Sequence, residues 1–566
     1  MAGSTKGRNA MALAACMLAG APFAHAAAPA PSAKPAATPV TKPAAAPKAS
    51  LAPKPAATYA ATPPAPPAAT PPPFVVEEAT IAQVHAALAN GQLTCRGLVD
   101  AYLRRIAAYD KIGPALNAII TINPVATTIA DAMDLQLAKS GMTGPLFCVP
   151  MIVKDNFETR GIQTTNGSLV FAGYVPTRDA TQVARAKAAG AIVLAKANMA
   201  EWAFSPVETV SSILPGYTRN PYDTNRVTAG SSGGTAAAIA ASFGLVGLGS
   251  DTGDSIRGPS SHQALVGLRS TMGMTSRAGV FPLNLRADIA GPMARTVADM
   301  ATLFQVIAGP DPRDPVTATA ATHPVPDPRA VLVADGLKGV RIGVLHEAYD
   351  RATADPEVMA AFRTALADLA RAGATIVDPV RVIGFTEPPV YSGAPPCLGF
   401  KNDINAFMHE RVDQTHVADL TAVIKSGKFH PSVAKRLEDA DKATVNPIDS
   451  DACKVDDAYR TRLRGSVEAA MAVNRVDALV YPTWSNPPRL IGDLNTPAGD
   501  NSQIFAPYTG FPAINVPMGY VRGGTLPVGL TMLGRPWAES GLITYAYAYE
   551  QATRHRRPPV ATPPVP

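Results

Sequence analysis

Leu245-Val246-Gly247-Leu248-Gly249-Ser250-Asp251-Thr252-Gly253-Asp254-Ser255-Ile256-Arg257-Gly258-Pro259 passes from a short apolar run straight into a loop of Gly, Ser and Asp. The apolar part reads as a strand bounded by turn residues. In the loop, glycine lets the backbone turn sharply and aim successive N–H groups into one concavity, an arrangement that stabilises an oxyanion. A second Gly/Ser stretch, Ala229-Gly230-Ser231-Ser232-Gly233-Gly234-Thr235, leads into the Ala-rich helix 236–242. Upstream, Val149-Pro150-Met151-Ile152-Val153-Lys154-Asp155-Asn156 ends an apolar strand on a lysine, where the amine can be desolvated.

Working outward, β-rich runs at 118–122, 147–153, 191–194, 245–249, 340–345, 478–481 and 513–518 alternate with helical stretches. This predicts an α/β fold: one large domain with a central, mostly parallel or mixed twisted sheet covered by helices on both faces. Thr80-Ile81-Ala82-Gln83 is a capping box that opens a helix ending at Asn90-Gly91, and a second amphipathic helix runs from Thr94 to Tyr109. A helical insert is expected near 355–470.

The chain of 566 residues carries a formal net charge of +6. Lys6, Arg8, Lys34, Lys42, Lys48 and Lys54 precede Phe74 with no acid among them, so bases and acids balance in the rest. A neutral folded part argues against nucleic-acid binding. Lys6 and Arg8 before the apolar run from Met11 to Phe23, which ends in Ala24-His25-Ala26, read as a signal peptide over 1–26. The protein is therefore expected in the periplasm or secreted, without a transmembrane segment. Lipidation at Cys16 is the alternative. Residues 27–73 hold 15 prolines and almost no large apolar side chain, a disordered linker leading to a catalytic domain over 74–566. Export makes Cys95, Cys148, Cys397 and Cys453 disulfide candidates, with Cys397–Cys453 favoured and buried free thiols as the alternative.

Several chemistries compete for the Gly/Ser loops. No lysine follows either loop in the way a phosphate-binding loop requires. Gly230-Ser231-Ser232-Gly233-Gly234 matches G-x-S-x-G, which would make Ser232 a nucleophile, but Arg219 to Arg226 before it reads as a loop and not as the strand such an elbow needs. His409-Glu410 lacks the second histidine of a zinc protease, and no C-x-x-C is present. His262 reads as a packing residue.

The chain resembles the amidase signature family of serine hydrolases. The resemblance rests on 144–156, 220–234, 251–257 with Gly267-Leu268, Gly291 to Asp299, Tyr481-Pro482-Thr483 and Gly510-Phe511-Pro512-Ala513, in order, over nearly everything from 75 to 560. It implies Lys154 as base, Ser231 in a cis peptide as proton relay, and Ser255 as nucleophile. It also implies an oxyanion hole of N–H groups among Thr252, Gly253, Asp254 and Ser255, with Ser232, Asp251 and Arg257 in support. No cofactor and no metal are required. Asp254 stands where the family usually carries Gly, and its charge would oppose a developing oxyanion.

The expected function is an exported hydrolase of carboxylic amides, with esters as a side activity and a small-molecule amide as its partner. The alternatives are a non-catalytic or weakly active envelope-associated binding protein and an amidotransferase A-like subunit. The stretch 385–450 is expected to shape the substrate pocket, with Tyr391, Phe400 and Phe407 as apolar candidates.

Overall fold

In a computed structural model, residues 74–565 are described apart from 206, 391–394 and 445. The expected signal peptide, Cys16, the linker and Tyr391 lie outside the described residues. Among the described residues, eleven strands form one sheet: β1 Ile119–Ile122, β2 Pro150–Lys154, β3 Ile192–Ala197, β4 Val246–Asp251, β5 Val266–Arg269, β6 Ile289–Ala294, β7 Arg341–Leu345, β8 Thr375–Val380, β9 Ala478–Pro482, β10 Ala513–Val521 and β11 Leu526–Leu533. Their order is β1-β3-β2-β4-β6-β5-β10-β11-β9-β7-β8.

The expected α/β domain takes the mixed form of its sheet. β2 runs parallel to β3 and β4, and β7 runs parallel to β8 and β9. Helices lie between these strands in sequence, including Thr181–Ala188, Gly233–Ala240 and Pro356–Arg371, and return the chain to the same end of the sheet. From β4 through β6, β5, β10 and β11 to β9, every neighbour is antiparallel. β10 and β11 are a hairpin whose turn at Arg522, Gly523 and Gly524 has positive φ throughout, which glycine tolerates without steric cost.

Seven strands are legible in the sequence as apolar runs; β5, β6, β8 and β11 are not. All four contain Gly, Pro or both, which local propensity reads against a strand. Their glycines answer to close packing instead. A Cβ at Gly291 would stand 2.6 Å from the Leu268 carbonyl oxygen. β4 and β11 are buried at every position, and because successive side chains point to opposite faces, both faces of the sheet are covered. Gly233–Ala240 packs on β2 and β4, Val297–Ile307 on β6, and Pro356–Arg371 and Glu539–Thr553 on β10.

The two N-terminal helices form as their caps predict. Thr80 accepts the Gln83 N–H while Gln83 takes up the Thr80 N–H, and Thr94 accepts the Gly97 N–H at 2.9 Å. Within 355–470, β8 belongs to the sheet and the helix Pro356–Arg371 packs on it. The helices Phe400–His409, Leu420–Ser426 and Pro431–Asp441 instead gather around a separate apolar cluster with Phe171, Trp202, Phe204 and Phe281. No helix among the described residues is long and apolar enough to cross a membrane.

Cys397 is bonded to Cys453, as expected, and Cys95 to Cys148, with Cα atoms 4.6 and 5.5 Å apart. The second bridge fixes the helix Cys95–Tyr109 to the segment entering β2 and closes a loop of 53 residues. A loop of that length corresponds to about 4 kcal/mol of denatured-state entropy. Replacing Cys95 and Cys148 with Ala should lower the unfolding free energy by roughly 2–4 kcal/mol. Denaturant titration of the variant beside the unmodified chain, both non-reduced, checks this; coincident transitions would contradict it.

Candidate active site

Because β2 and β4 are parallel neighbours, their carboxyl ends emerge together, and Lys154 closes β2 beside Ser250 and Asp251, which close β4. The loop carrying Ser231 precedes the helix Gly233–Ala240, which packs on both strands. Ser255 sits in the turn leading into the short helix Arg257–Ser261. Three pieces of chain distant in sequence thus meet at the carboxyl ends of β2 and β4.

Lys154 is fully buried, and its Nζ donates to Ser231 Oγ at 2.7 Å and to Ser250 Oγ at 2.8 Å. Asn156 Nδ2 donates to the same Ser250 hydroxyl at 3.0 Å. Burial lowers the lysine to about 7, against the pull of Asp251, Asp254 and Asp288, so a neutral amine is populated near neutral pH. Ser255 Oγ accepts the Ser231 N–H at 2.9 Å and meets Asp254 Oδ1 at 3.1 Å. The cis peptide implied at Ser231 is not present; the cis bond among the described residues is Asp378–Pro379. Ala229 and Gly230 turn the chain with φ of 59° each, which presents the Ser231 amide to Ser255 and the Ser231 hydroxyl to Lys154. No hydrogen bond joins the two hydroxyls among the described residues.

Asp251 organises the loop. It accepts Arg257 Nε at 3.1 Å, Arg269 Nη1 at 3.0 Å and the Ile256 N–H at 3.2 Å. Burial works against its charge, but Arg257 and Arg269 outweigh burial and hold the carboxyl down at about 2. Arg257 also donates to the Gly253 carbonyl at 2.6 Å and to the Ser502 carbonyl at 3.1 Å. The N–H groups of Gly253, Asp254 and Ser255 are taken up by no backbone carbonyl among the described residues. They lie along the floor of a cleft of about 330 Å³ whose walls include Phe204, Arg436, Asp456 and Tyr508.

Asp254 is buried, and its Oδ2 has no partner among the described residues. Burial, then the charges of Asp500 and Asp251, push its carboxyl well above the usual range, and burial raises Asp500 to about 6. The fixed negative charge expected beside the oxyanion is therefore replaced by a group that favours its proton. Ser232 Oγ donates to the Ser250 carbonyl at 3.2 Å and accepts the Ser250 N–H at 3.3 Å, which ties the loop to β4 and leaves no exposed elbow. His262 packs against Trp484 and meets the Asn486 carbonyl at 3.3 Å, apart from Lys154, Ser231 and Ser255. Phe400 and Phe407 do not line the cleft. Phe400 packs on Trp202 and Phe204, and Phe407 lies under Arg411 and against Phe281.

Sequence reasoning gives no role to Ser250, Asn156, Asp500 or Trp484. A serine ending the strand beside the one that carries Lys154 is the available signal for Ser250. Asp500 and Trp484 reach the site through tertiary folding alone.

The family model described as Amidase matches residues 97–543. The chain belongs to the amidase signature family. Among solved structures it is similar to a peptide amidase from Stenotrophomonas maltophilia, with a TM-score of 0.77 and 36% identity over 85% of this chain and 98% of that one. It is also similar to an amidase family protein from Bacillus anthracis, with a TM-score of 0.75 and 31% identity over 86% of this chain and 92% of that one. Among curated proteins it is 36% identical over 508 residues to the A subunit of the glutamyl-tRNA(Gln) amidotransferase of Moorella thermoacetica, covering 85% of this chain and 94% of the relative. Family membership and the convergence of Lys154, Ser231 and Ser255 at the carboxyl ends of β2 and β4 make the chain an amidase-signature enzyme acting on carbon–nitrogen bonds.

Two outcomes follow from the buried charges. A lysine at about 7 in the fold and 10.5 when free destabilises the folded state at pH 7 and below, and that cost fades as pH rises to 10.5. Lys154→Met should therefore raise the denaturation midpoint at pH 6 and lose most of that gain by pH 10; an equal shift at both would contradict the buried neutral amine. Asp251→Asn leaves Arg257 and Arg269 buried without their carboxylate and should cost about 3–5 kcal/mol, read by urea unfolding.

Proposed function

We propose that this protein is an exported serine hydrolase of linear carboxylic amides, with esters as a secondary substrate, acting through an acyl-enzyme on Ser255. The observation that carries the proposal is the chain of contacts from the buried Lys154 amine through Ser231 to Ser255. A serine hydroxyl needs an adjacent base near neutral pH, and a desolvated lysine supplies one without histidine. As Ser255 Oγ bonds to the amide carbon, its proton passes to Ser231 Oγ, whose own proton passes to Lys154. The carbonyl oxygen takes the negative charge against the N–H groups of Gly253, Asp254 and Ser255. Reversal of the relay protonates the leaving nitrogen and breaks the C–N bond, and water then releases the acid by the same route. The relay closes when the Ser255 hydroxyl meets Ser231 Oγ while Ser231 keeps its contact with Lys154.

Phe204 and Tyr508 in the cleft walls suit an apolar acyl or leaving group. The likeness to a peptide amidase supports amides of small peptides within this class. Export rests on the leader pattern at Lys6, Arg8 and Ala24-His25-Ala26 and is supported by two bonded cysteine pairs, which suit an oxidising compartment. A second reading comes from the relatives named as the A subunits of amidotransferases. Such a protein would need partner subunits to act, so hydrolysis by the isolated chain separates the two.

Ser255→Ala should abolish covalent labelling by a fluorophosphonate and amide hydrolysis, while Ser232→Ala should keep both in part. Labelling that survives the first change and is lost with the second would overturn the assignment. Lys154→Ala should slow amides far more than activated esters, whose leaving groups need no proton; equal losses on both would reduce Lys154 to a positioning residue.

A further inference from the structure

Asp254 stands where the sequence departs from the family's glycine, and its carboxyl touches the proposed nucleophile: Oδ1 lies 3.1 Å from Ser255 Oγ. That contact has opposite meanings in the two protonation states. An ionised carboxylate only accepts, so it captures the Ser255 hydroxyl hydrogen and turns it away from Ser231. A carboxyl protonated on Oδ1 donates instead. Ser255 Oγ then receives two donors, the Ser231 N–H and the Asp254 O–H, and its own hydrogen is free to enter the relay.

The surroundings favour the neutral form. Asp254 makes no ion pair among the described residues, and Oδ2 is buried and unpartnered. Oδ2 faces the Gly258 backbone and the equally unpartnered Trp484 indole: a Cβ at Gly258 would stand 2.6 Å from Oδ2 and 3.0 Å from Trp484 Nε1. The charged groups around it are Asp500 from the loop before the helix Phe505–Thr509, Asp251 at the end of β4, Arg257 at the start of its helix and Lys154 at the end of β2. Arg257 is engaged by Asp251 and the carbonyls of Gly253 and Ser502, and Asp500 by Gln503 and the Ser502 N–H. Two buried carboxyls with no cation bonded to Asp254 retain a proton between them.

We propose that the proton on Asp254 decides where the Ser255 hydroxyl hydrogen points, so that the enzyme works with Asp254 neutral and is switched off when Asp254 ionises. The inference rests on Ser255 being the nucleophile. Lys154 must lose its proton and Asp254 must keep one, so activity rises through the lysine's titration and falls as Asp254 gives up its proton. No residual carboxylate charge then opposes the oxyanion during turnover.

The test is the rate of Ser255 labelling by a fluorophosphonate from pH 5 to 10 on the intact chain and on Asp254→Asn and Asp254→Gly, with the labelled residue identified by mass spectrometry. The unmodified chain should give a bell. Asp254→Asn, which has no acid to titrate and an amide N–H able to donate at every pH, should keep the rising limb, lose the falling one and label at least about tenfold faster than the unmodified chain at pH 9. Asp254→Gly should also lose the falling limb, with a lower plateau, and gives the same reading if the Asn variant does not fold. A falling limb that persists in both variants overturns the proposal, as does a flat high-pH plateau in the unmodified chain. Folded variants that no longer label at any pH would overturn it too, since they would make the carboxylate the proton acceptor. Absence of Ser255 labelling in the unmodified chain at every pH would instead remove the proposed nucleophile, and this inference with it.

Discussion

Asp251, the last residue of β4, gathers two buried arginines from different elements: Arg257 from the helix that follows the loop and Arg269 from β5. The same carboxylate accepts the N–H of Ile256. Removing Asp251 would leave two buried guanidinium groups without their carboxylate, so the geometry of the loop depends on this one side chain. Between Asp251 and Arg257 lie the residues that floor the cleft. Their conformation is a consequence of that ionic clamp, because Arg257 reaches back to the Gly253 carbonyl and across to Ser502.

Around this clamp the site arranges its other charges by withholding partners. Lys154 has hydroxyls about it and no bonded carboxylate, and burial then favours the neutral amine. Asp254 has a hydroxyl and another acid near it and no bonded cation, so burial favours the neutral acid. A strongly ionised acid, a neutral base and a neutral acid thus lie within one small region. The difference among them is which side chain each was given to face.

Much of this is legible in the sequence. Lys154 ends an apolar run, Ser231 and Ser255 sit in Gly-rich loops, and the apolar runs around them mark seven strands, because burial and turn chemistry write themselves locally into composition. Among the four strands that escape such a reading, those rich in glycine and proline serve packing against a neighbour, as at Gly291, where the constraint comes from Leu268 on another strand. Phe400 and Phe407 read as cleft residues because a loop aromatic looks alike in sequence whether it faces solvent, substrate or another ring. Here each faces other aromatic rings or an arginine.

By itself the sequence determined the α/β class, the caps of the first two helices and the neutral folded part, which depend on periodicity, side-chain chemistry and charge, the properties of short stretches. Lys154, Ser231 and Ser255 were singled out by the resemblance of whole blocks of sequence to a family. Only the tertiary structure decided the antiparallel middle of the sheet, the contact of the Ser231 amide with Ser255, the cysteine pairing at Cys95–Cys148 and the proton-favouring surroundings of Asp254. Each of these is set by residues far apart in the chain, as when burial and then the charge of Asp500 raise the carboxyl of Asp254, or Ser502 holds Arg257. No local pattern encodes which distant group will fill the space beside a side chain.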